Sequence, residues 1–389
     1  MNILFVQTNV FSDYASGVPR VTYNLGKHFT KEGLKVAYFS FANKGHIVAE
    51  YGKLYHAKEA GGINNKFNFN ELKKCILEFK PDRVINQMPY EQKLRSALAE
   101  FGVINNFKLI GCIHNSLFTF KSNVKDIMRR NLPKPFNQIM ATNLMSKIPL
   151  LYHLIKQKIV LRSVIKLHDT TLLYTHANYK ELTYFLKPKD FDESKIDYMF
   201  NPVNEVKQQL PQKEKIILHV GRLNIPQKRS DLLLDFWEEV CYRLPGWQFK
   251  VVGDGPYFET LSADLKRRNL PRIELLGYQK ADYYYKQASI FMMPSAYEGL
   301  PNTIIESQSF ACPVLAFNSY GALEYIVNDG EDALLIKPYD TGEMARLCVV
   351  LAKNDKTLSK MQQAAQQNAE RFTLQKVGKK WLDLFNNLS

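Results

Sequence analysis

Ile216-Ile217-Leu218-His219-Val220-Gly221-Arg222-Leu223-Asn224-Ile225-Pro226-Gln227-Lys228-Arg229-Ser230-Asp231 is the stretch that decides the fold. Its opening run predicts a buried strand over Ile216–Val220. Gly221 punctuates the strand, and a helix is expected near Ser230–Tyr242. A strand passing through a glycine turn into a helix starts a doubly wound α/β unit. Arg222 and Lys228 bracket the turn. Arg offers a planar fork and Lys a compact point charge, which together suit a diphosphate. Two solvated surface cations would give the same pattern.

The same alternation continues on both sides. Downstream, strands are expected at Phe249–Val252, Ile273–Leu276, Ile290–Met293 and Val314–Ala316, with a helix around Tyr257–Asn269. Upstream, Ile3–Gln7, Lys35–Ser40, Arg83–Asn86 and Lys108–Ile113 read as strands. Val18, Val21, Leu25 and Phe29 mark a helix by their spacing. The chain therefore predicts two α/β, Rossmann-like domains in series. The join falls near Asn201-Pro202-Val203, giving domains of about 1–200 and 201–372.

Composition narrows the class. With 46% hydrophobic and 12% aromatic residues in 389, a disordered chain is excluded. The formal net charge is +14, and it is uneven. Residues 1–200 hold 29 Lys and Arg against 16 Asp and Glu, a net of +13. Residues 201–389 hold 23 against 22. Such asymmetry points to an anionic partner: a membrane surface, a nucleic acid or an anionic substrate.

Cys75, Cys112, Cys241, Cys312 and Cys348 are scattered and lack metal-ligand spacing, so they read as buried free thiols. The N-terminus lacks the basic start of a signal peptide, and no apolar run reaches a membrane span. A cytoplasmic protein is expected.

Four further constellations could carry chemistry. Ser16-Gly17-Val18-Pro19-Arg20 opens a helix after the first strand, where a glycine lets a phosphate approach backbone amides. Gly253-Asp254-Gly255-Pro256 is a turn after a strand. Glu298-Gly299-Leu300-Pro301-Asn302-Thr303-Ile304-Ile305-Glu306 places two carboxylates eight positions apart. Sugar and ribose hydroxyls suit such carboxylates, but Thr303 and Glu306 also fit a helix capping box. His114 ends the strand of Gly111-Cys112-Ile113, where ligands bind in open α/β sheets.

Residues 121–168 differ from the rest. Ten cations, Lys125, Arg129, Arg130, Lys156, Lys158 and Arg162 among them, face only Asp126, a net of +9. Apolar residues are interleaved, as in a basic helix lying in a membrane interface. A surface helix pair with its apolar face in the core is the alternative.

Taken in order, the motifs of residues 216–336 resemble the donor domain of family 4 retaining glycosyltransferases of the GT-B fold. The ordered set is Gly221-Arg222-Leu223, Gln227-Lys228, Gly253-Asp254-Gly255-Pro256, Leu276-Gly277-Tyr278, Pro294-Ser295, Glu298 with Glu306, and Gly321 to Val327 before Asp332-Ala333-Leu334-Leu335. The resemblance implies two domains facing across a cleft, with acceptor-binding residues in the first. It also implies a C-terminal helix, about 373–389, that crosses back to the first domain and couples closure around the donor.

The resemblance implies roles as well. Arg222 and Lys228 would bind the donor diphosphate and stabilise the leaving group. Gly17 would let the first loop close over it. Glu298 would hold sugar hydroxyls, with the amides of Gly299, Leu300 and Pro301 beside it. Glu306 would bind the ribose, Gly253 and Tyr278 would lie by the nucleotide, and His114 by the anomeric carbon. A fixed cation pair does this work without a metal, so neither metal nor cofactor is expected. Retention by front-face attack would leave no protein general base. Glu298 and Glu306 are thus no glycosidase-type pair.

Two departures concern the loops: Ser16 and Arg229 stand where the family commonly has glycine. The expected activity is transfer of a hexose from a nucleoside-diphosphate sugar, with UDP the expected nucleotide. The acceptor would be a glycolipid or polysaccharide precursor at the inner face of a membrane, to which the protein would bind peripherally. A soluble acceptor, a nucleotide-sugar epimerase, a nucleic-acid-binding protein and a non-catalytic scaffold are the competing readings. No nucleic-acid motif supports the third, and retention of the four charged motif residues opposes the fourth.

Overall fold

The computed structural model describes residues 1–8, 17–42, 47, 49–121, 124, 147–203, 206 and 212–388. They divide into two compact units. The first is Met1–Pro202 with Leu374–Ser389, and the second is Val203–Thr373.

Among the described residues the first unit has a parallel sheet of seven strands. They are β1 (Asn2–Gln7), β2 (Lys35–Ser40), β3 (Lys53–His56), β4 (Arg83–Asn86), β5 (Lys108–Cys112), β6 (Thr170–Leu173) and β7 (Ile196–Tyr198), in the spatial order β3-β2-β1-β4-β5-β6-β7. The order reverses between β1 and β4, which makes the sheet doubly wound. The apolar run of β1 explains its central place. Ile3 and Phe5 enter one core with Val377, Trp381 and Phe385. Leu4 and Val6 enter another with Leu72, Leu94 and Leu98. A strand covered on both faces needs no polar alternation.

The C-terminal helix, Leu374–Asn387, belongs to this first unit. Phe29 meets Phe385 at 5.3 Å and Trp381 at 6.2 Å between ring centroids. The Arg83 guanidinium donates to the carbonyl of Phe385 (2.7 Å) and to that of Leu388.

The second unit repeats the plan with β8 (Glu214–Val220), β9 (Gln248–Val252), β10 (Ile273–Leu275), β11 (Ala288–Met293), β12 (Val314–Phe317) and β13 (Ala333–Ile336). Their order is β10-β9-β8-β11-β12-β13, all parallel, so the reversal lies between β8 and β11. Trp237, Phe249, Met292 and Phe317 fill its core. The ends of this unit meet, where Val203 N donates to Phe372 O at 2.8 Å.

Several expectations need correction. β3, β6 and β7 were not expected as strands. They are three or four residues long, and β3 and β7 are half-exposed at the sheet's edges. Ala333-Leu334-Leu335, expected as the end of a loop, lies in β13. Ser230–Leu232 is a 3-10 turn, and the α-helix begins only at Leu233 because Arg229 interrupts the backbone with φ 49°. All five cysteines are buried, as expected. None of the described helices is long and apolar enough to cross a membrane.

Candidate active site

Parallel strands bring their carboxyl ends to one edge of the second sheet, and the loops there are laced together. Gly221 N donates to Val252 O (3.0 Å), Leu223 N to Asp254 O (2.9 Å) and Gly253 N to Gly277 O (2.8 Å). Two glycines permit this. Gly253 and Gly255 have φ of 144° and 156°, and a Cβ on them would lie 1.8 Å from the Gly221 oxygen and 2.4 Å from the Leu223 oxygen. No side chain fits either place. Gly253 therefore shapes the Gly221–Leu223 turn through its own backbone.

That turn leads to Lys228. Asn224 Oδ1 accepts from the amides of Gln227 (3.3 Å) and Lys228 (3.0 Å), and Ser230 Oγ accepts from Asn224 N (3.1 Å). Ala296 N donates to Gln227 O at 2.7 Å, joining the turn to the loop after β11. Across this join Lys228 Nζ lies 2.6 Å from Glu298 Oε1, and Gln227 Nε2 lies 3.1 Å from Oε2. The Lys228 and Glu298 side chains are only 14% and 8% exposed. Both carboxylate oxygens are thus held. The motif reading couples Lys228 with Arg222, but in the structure its ion-pair partner is Glu298. Arg222 is exposed and makes no ion pair or hydrogen bond with the described residues.

Arg229 accounts for one departure from the glycine pattern. Its φ of 49° is the left-handed conformation that glycine adopts freely. Here an arginine holds it. Its guanidinium makes a two-pronged contact with Asp231 (3.0 and 2.7 Å) and lies 4.6 Å over the Tyr339 ring. These contacts offset the backbone cost.

His219 was missed. The signal was a histidine inside an apolar strand. It is fully buried and its Nδ1 donates to Met292 O at 3.1 Å. Burial pushes its pKa down to about 4, so it is neutral at pH 7. Nε2 has no partner among the described residues. A Cβ on Gly221 would lie 3.4 Å from that nitrogen, which places it beneath the Gly221 turn.

Beyond Glu298, Gly299 is half-buried while Leu300 and Pro301 are buried. The helix Asn302–Ser309 starts directly after Pro301, with no side-chain cap. The capping box is therefore not formed. Thr303 is already inside the first turn, and its hydroxyl faces Met293 Sδ at 3.5 Å. Glu306 accepts from the Tyr285 hydroxyl at 3.4 Å. Tyr278 is exposed in the loop after β10.

In the first unit Gly17 precedes the helix Val18–Lys31 with φ 67°, and it is exposed. Ser16 lies outside the described residues. His114 follows β5 and is tied on both sides. Its Nε2–H donates to Gln87 Oε1 (2.5 Å) and its Nδ1 accepts from the Tyr174 hydroxyl (2.8 Å). Gln87 donates onward to Thr22 Oγ1 (3.0 Å), and Asn201 donates to Tyr174 (3.1 Å). Gln87, His114, Tyr174 and Asn201 follow β4, β5, β6 and β7, which are neighbours in the sheet. One chain of neutral hydrogen bonds thus runs along the carboxyl edge beside a pocket that Met199 and Trp381 also line. Burial lowers the His114 pKa to about 4, so the ring is neutral at pH 7. Gln87, Tyr174 and Asn201 carried no sequence signal of their own.

Lys125, Arg129 and Arg130 lie outside the described residues. Lys156 is exposed on the helix Lys147–Leu167. Lys158 and Arg162 share Asp190, at 3.6 and 2.5 Å, so neither is a free cation. No group of three or more His, Cys, Asp or Glu among the described residues could hold a metal.

Two doubly wound parallel sheets in succession are the plan of the GT-B class of glycosyltransferase folds. The crystal structure of Anabaena HepE in complex with UDP and glucose superposes with a TM-score of 0.72, covering 99% of both chains at 14% identity. Residues 201–368, nearly the whole of the second unit, match the family model described as glycosyl transferases group 1. Sequence relatives agree. The chain is 32% identical to the amylovoran biosynthesis glycosyltransferase AmsD of Erwinia amylovora over 191 residues, 48% of this chain and 52% of that protein. It is 31% identical to the poly(ribitol-phosphate) alpha-N-acetylglucosaminyltransferase of Staphylococcus aureus over 183 residues, 45% of this chain and 36% of that protein. The chain therefore spans about half the length, or less, of these relatives.

Proposed function

We propose that this chain transfers a hexose from a nucleoside-diphosphate sugar, with UDP as the nucleotide, to a polysaccharide precursor or glycolipid at the inner face of a membrane. The observation that carries the reading is the Lys228–Glu298–Gln227 cluster at the carboxyl edge of β8 and β11. These two strands flank the reversal of the sheet order, where open α/β sheets bind ligands. One cation and one carboxylate stand side by side there, and a sugar diphosphate presents both an anion and hydroxyls.

In this reading the exposed guanidinium of Arg222 and the ammonium of Lys228 hold the diphosphate and stabilise its charge as it departs. Glu298 and the amides of Gly299–Pro301 take sugar hydroxyls, and Glu306 takes the ribose. The glycosidic bond to the phosphate breaks while the bond to the acceptor oxygen forms on the same face. The acceptor proton passes to the departing phosphate, and configuration is retained. No metal is required. Gly17 and His114 enter by resemblance, with His114 as a neutral hydrogen-bonding group. The +13 charge of the first 200 residues supports an anionic acceptor environment, and the names of the two relatives place them with polymer substrates.

The test is a panel of nucleotide sugars read by thermal shift and slow donor hydrolysis, with and without a chelator. Stabilisation and hydrolysis by one UDP-sugar, unaffected by the chelator, is the expected result. No response to any nucleotide sugar overturns the reading.

A further inference from the structure

The helix Lys147–Leu167 has two apolar faces, and only one is used by the fold. Leu161, Val164 and Ile165 are buried against Ile113, Leu117, Leu173 and Phe185, with Leu154 and Val160 packed alongside. Arg95 also ties the helix to the fold through its 2.9 Å bond to Ser163. On another side stand Ile148, Leu151, Tyr152, Ile155 and Ile159, each between 56 and 68% exposed. Their spacing of three, four, seven and eleven residues from Ile148 aligns them in one stripe over three turns. A continuous exposed stripe of large apolar side chains on a soluble fold marks an interaction surface.

We infer that this stripe seats the protein on an anionic lipid bilayer, as an apolar wedge rather than a purely electrostatic patch. The inference rests on the membrane-bound acceptor proposed above and names the surface that would meet it. Charge selects the occupant. Lys147 and Lys156 flank the stripe, Lys166 closes its far end, and all three are exposed. No acidic residue lies between positions 147 and 168. Anionic headgroups complement such a rim, with the lysine stems lying along the apolar side chains. A second copy of the chain would instead bring like charges together across the contact. Lys158 and Arg162 are withdrawn from the rim by Asp190, which also fixes the helix to the Pro188–Asp190 turn.

The experiment uses the full chain and vesicles of phosphatidylcholine with or without phosphatidylglycerol. Co-sedimentation is expected with the anionic vesicles, at least tenfold weaker for the combined variant Leu151→Ser, Ile155→Ser, Ile159→Ser. That variant should keep the melting temperature and the UDP-induced thermal shift of the parent, since it touches neither core nor donor site. In a second variant, Tyr152→Trp, indole emission should move to the blue on adding anionic vesicles. Wild-type binding by the triple-serine variant, or an unmoved Trp emission, overturns the inference. So does a solution dimer that the serine variant dissociates. Vesicle binding without any UDP response would leave the surface standing and remove the transferase reading instead.

Discussion

Lys228 and Glu298 form a nearly enclosed ion pair, 2.6 Å apart, between residues 70 positions apart in the chain. Enclosure makes the pair costly to break from one side, because the remaining charge is left without a partner. Lys228→Ala is therefore expected to lower stability by roughly 3 kcal/mol as well as donor hydrolysis by about a hundredfold or more. The double variant Lys228→Met, Glu298→Gln should recover most of the stability and none of the activity. Urea denaturation beside hydrolysis assays separates the two effects. An active double variant would refute the phosphate role of Lys228.

Glu306 does not sit in the capping box its spacing suggested, because Pro301 and not Thr303 stands at the helix N-cap. Glu306→Gln should change stability by less than about 0.5 kcal/mol. UDP binding should weaken about tenfold, the cost of losing a charged hydrogen bond to a hydroxyl. Isothermal titration with UDP checks this. An unchanged dissociation constant would remove Glu306 from the nucleotide site.

Gly253 and Gly17 are both donor-site candidates, but they differ in kind. At Gly253 an alanine Cβ would overlap the Gly221 carbonyl, and Gly253→Ala should unfold the second unit, with losses above about 3 kcal/mol. At Gly17 a Cβ meets nothing within 4 Å, so Gly17→Ala should cost only the backbone term, about 1–2 kcal/mol. Limited proteolysis and circular dichroism would show the contrast, and equal losses would contradict it.

Acid should destabilise both units. His168 and His219 are buried at 1% and 0% exposure, and burial depresses both to about pKa 4 from 6.5. Each is neutral in the folded chain, while the unfolded chain takes up a proton below pH 6.5. Their contribution is complete above pH 6.5 and is lost as pH falls toward 4. It amounts to roughly 3 kcal/mol per histidine at most. Denaturation midpoints measured from pH 7.5 to 4.5 should fall across that window. A flat profile would show that both histidines titrate normally when folded.

The longer strands were legible because the sheets bury both faces. Ile3–Gln7 and Ile290–Met293 read as unbroken apolar runs for that reason. Lys53–His56 and Ile196–Tyr198 lie at the sheet's two edges, carry no such run and were invisible. Loop motifs were legible because glycine and charge at a strand's end leave a local trace. Pairings were not. Nothing local marks Glu298 as the partner of Lys228, or Gln87 and Tyr174 as partners of His114, since each comes from a separate strand. The basic stretch was read as one composition. Only packing shows that its helix has a spent face and an unspent one, and that Asp190 neutralises Lys158 and Arg162.

The placement of Leu374–Asn387 in the first unit has a consequence for synthesis. Phe29 and the inner face of β1 wait for Trp381 and Phe385, which are made after the whole second unit. At ordinary elongation rates that wait is roughly ten to thirty seconds. During it the nascent first unit presents an uncovered aromatic seam. A chain stopped anywhere before Trp381 would carry that seam permanently. The helix Leu374–Asn387 therefore completes the core of the first unit only after the intervening second unit has been made.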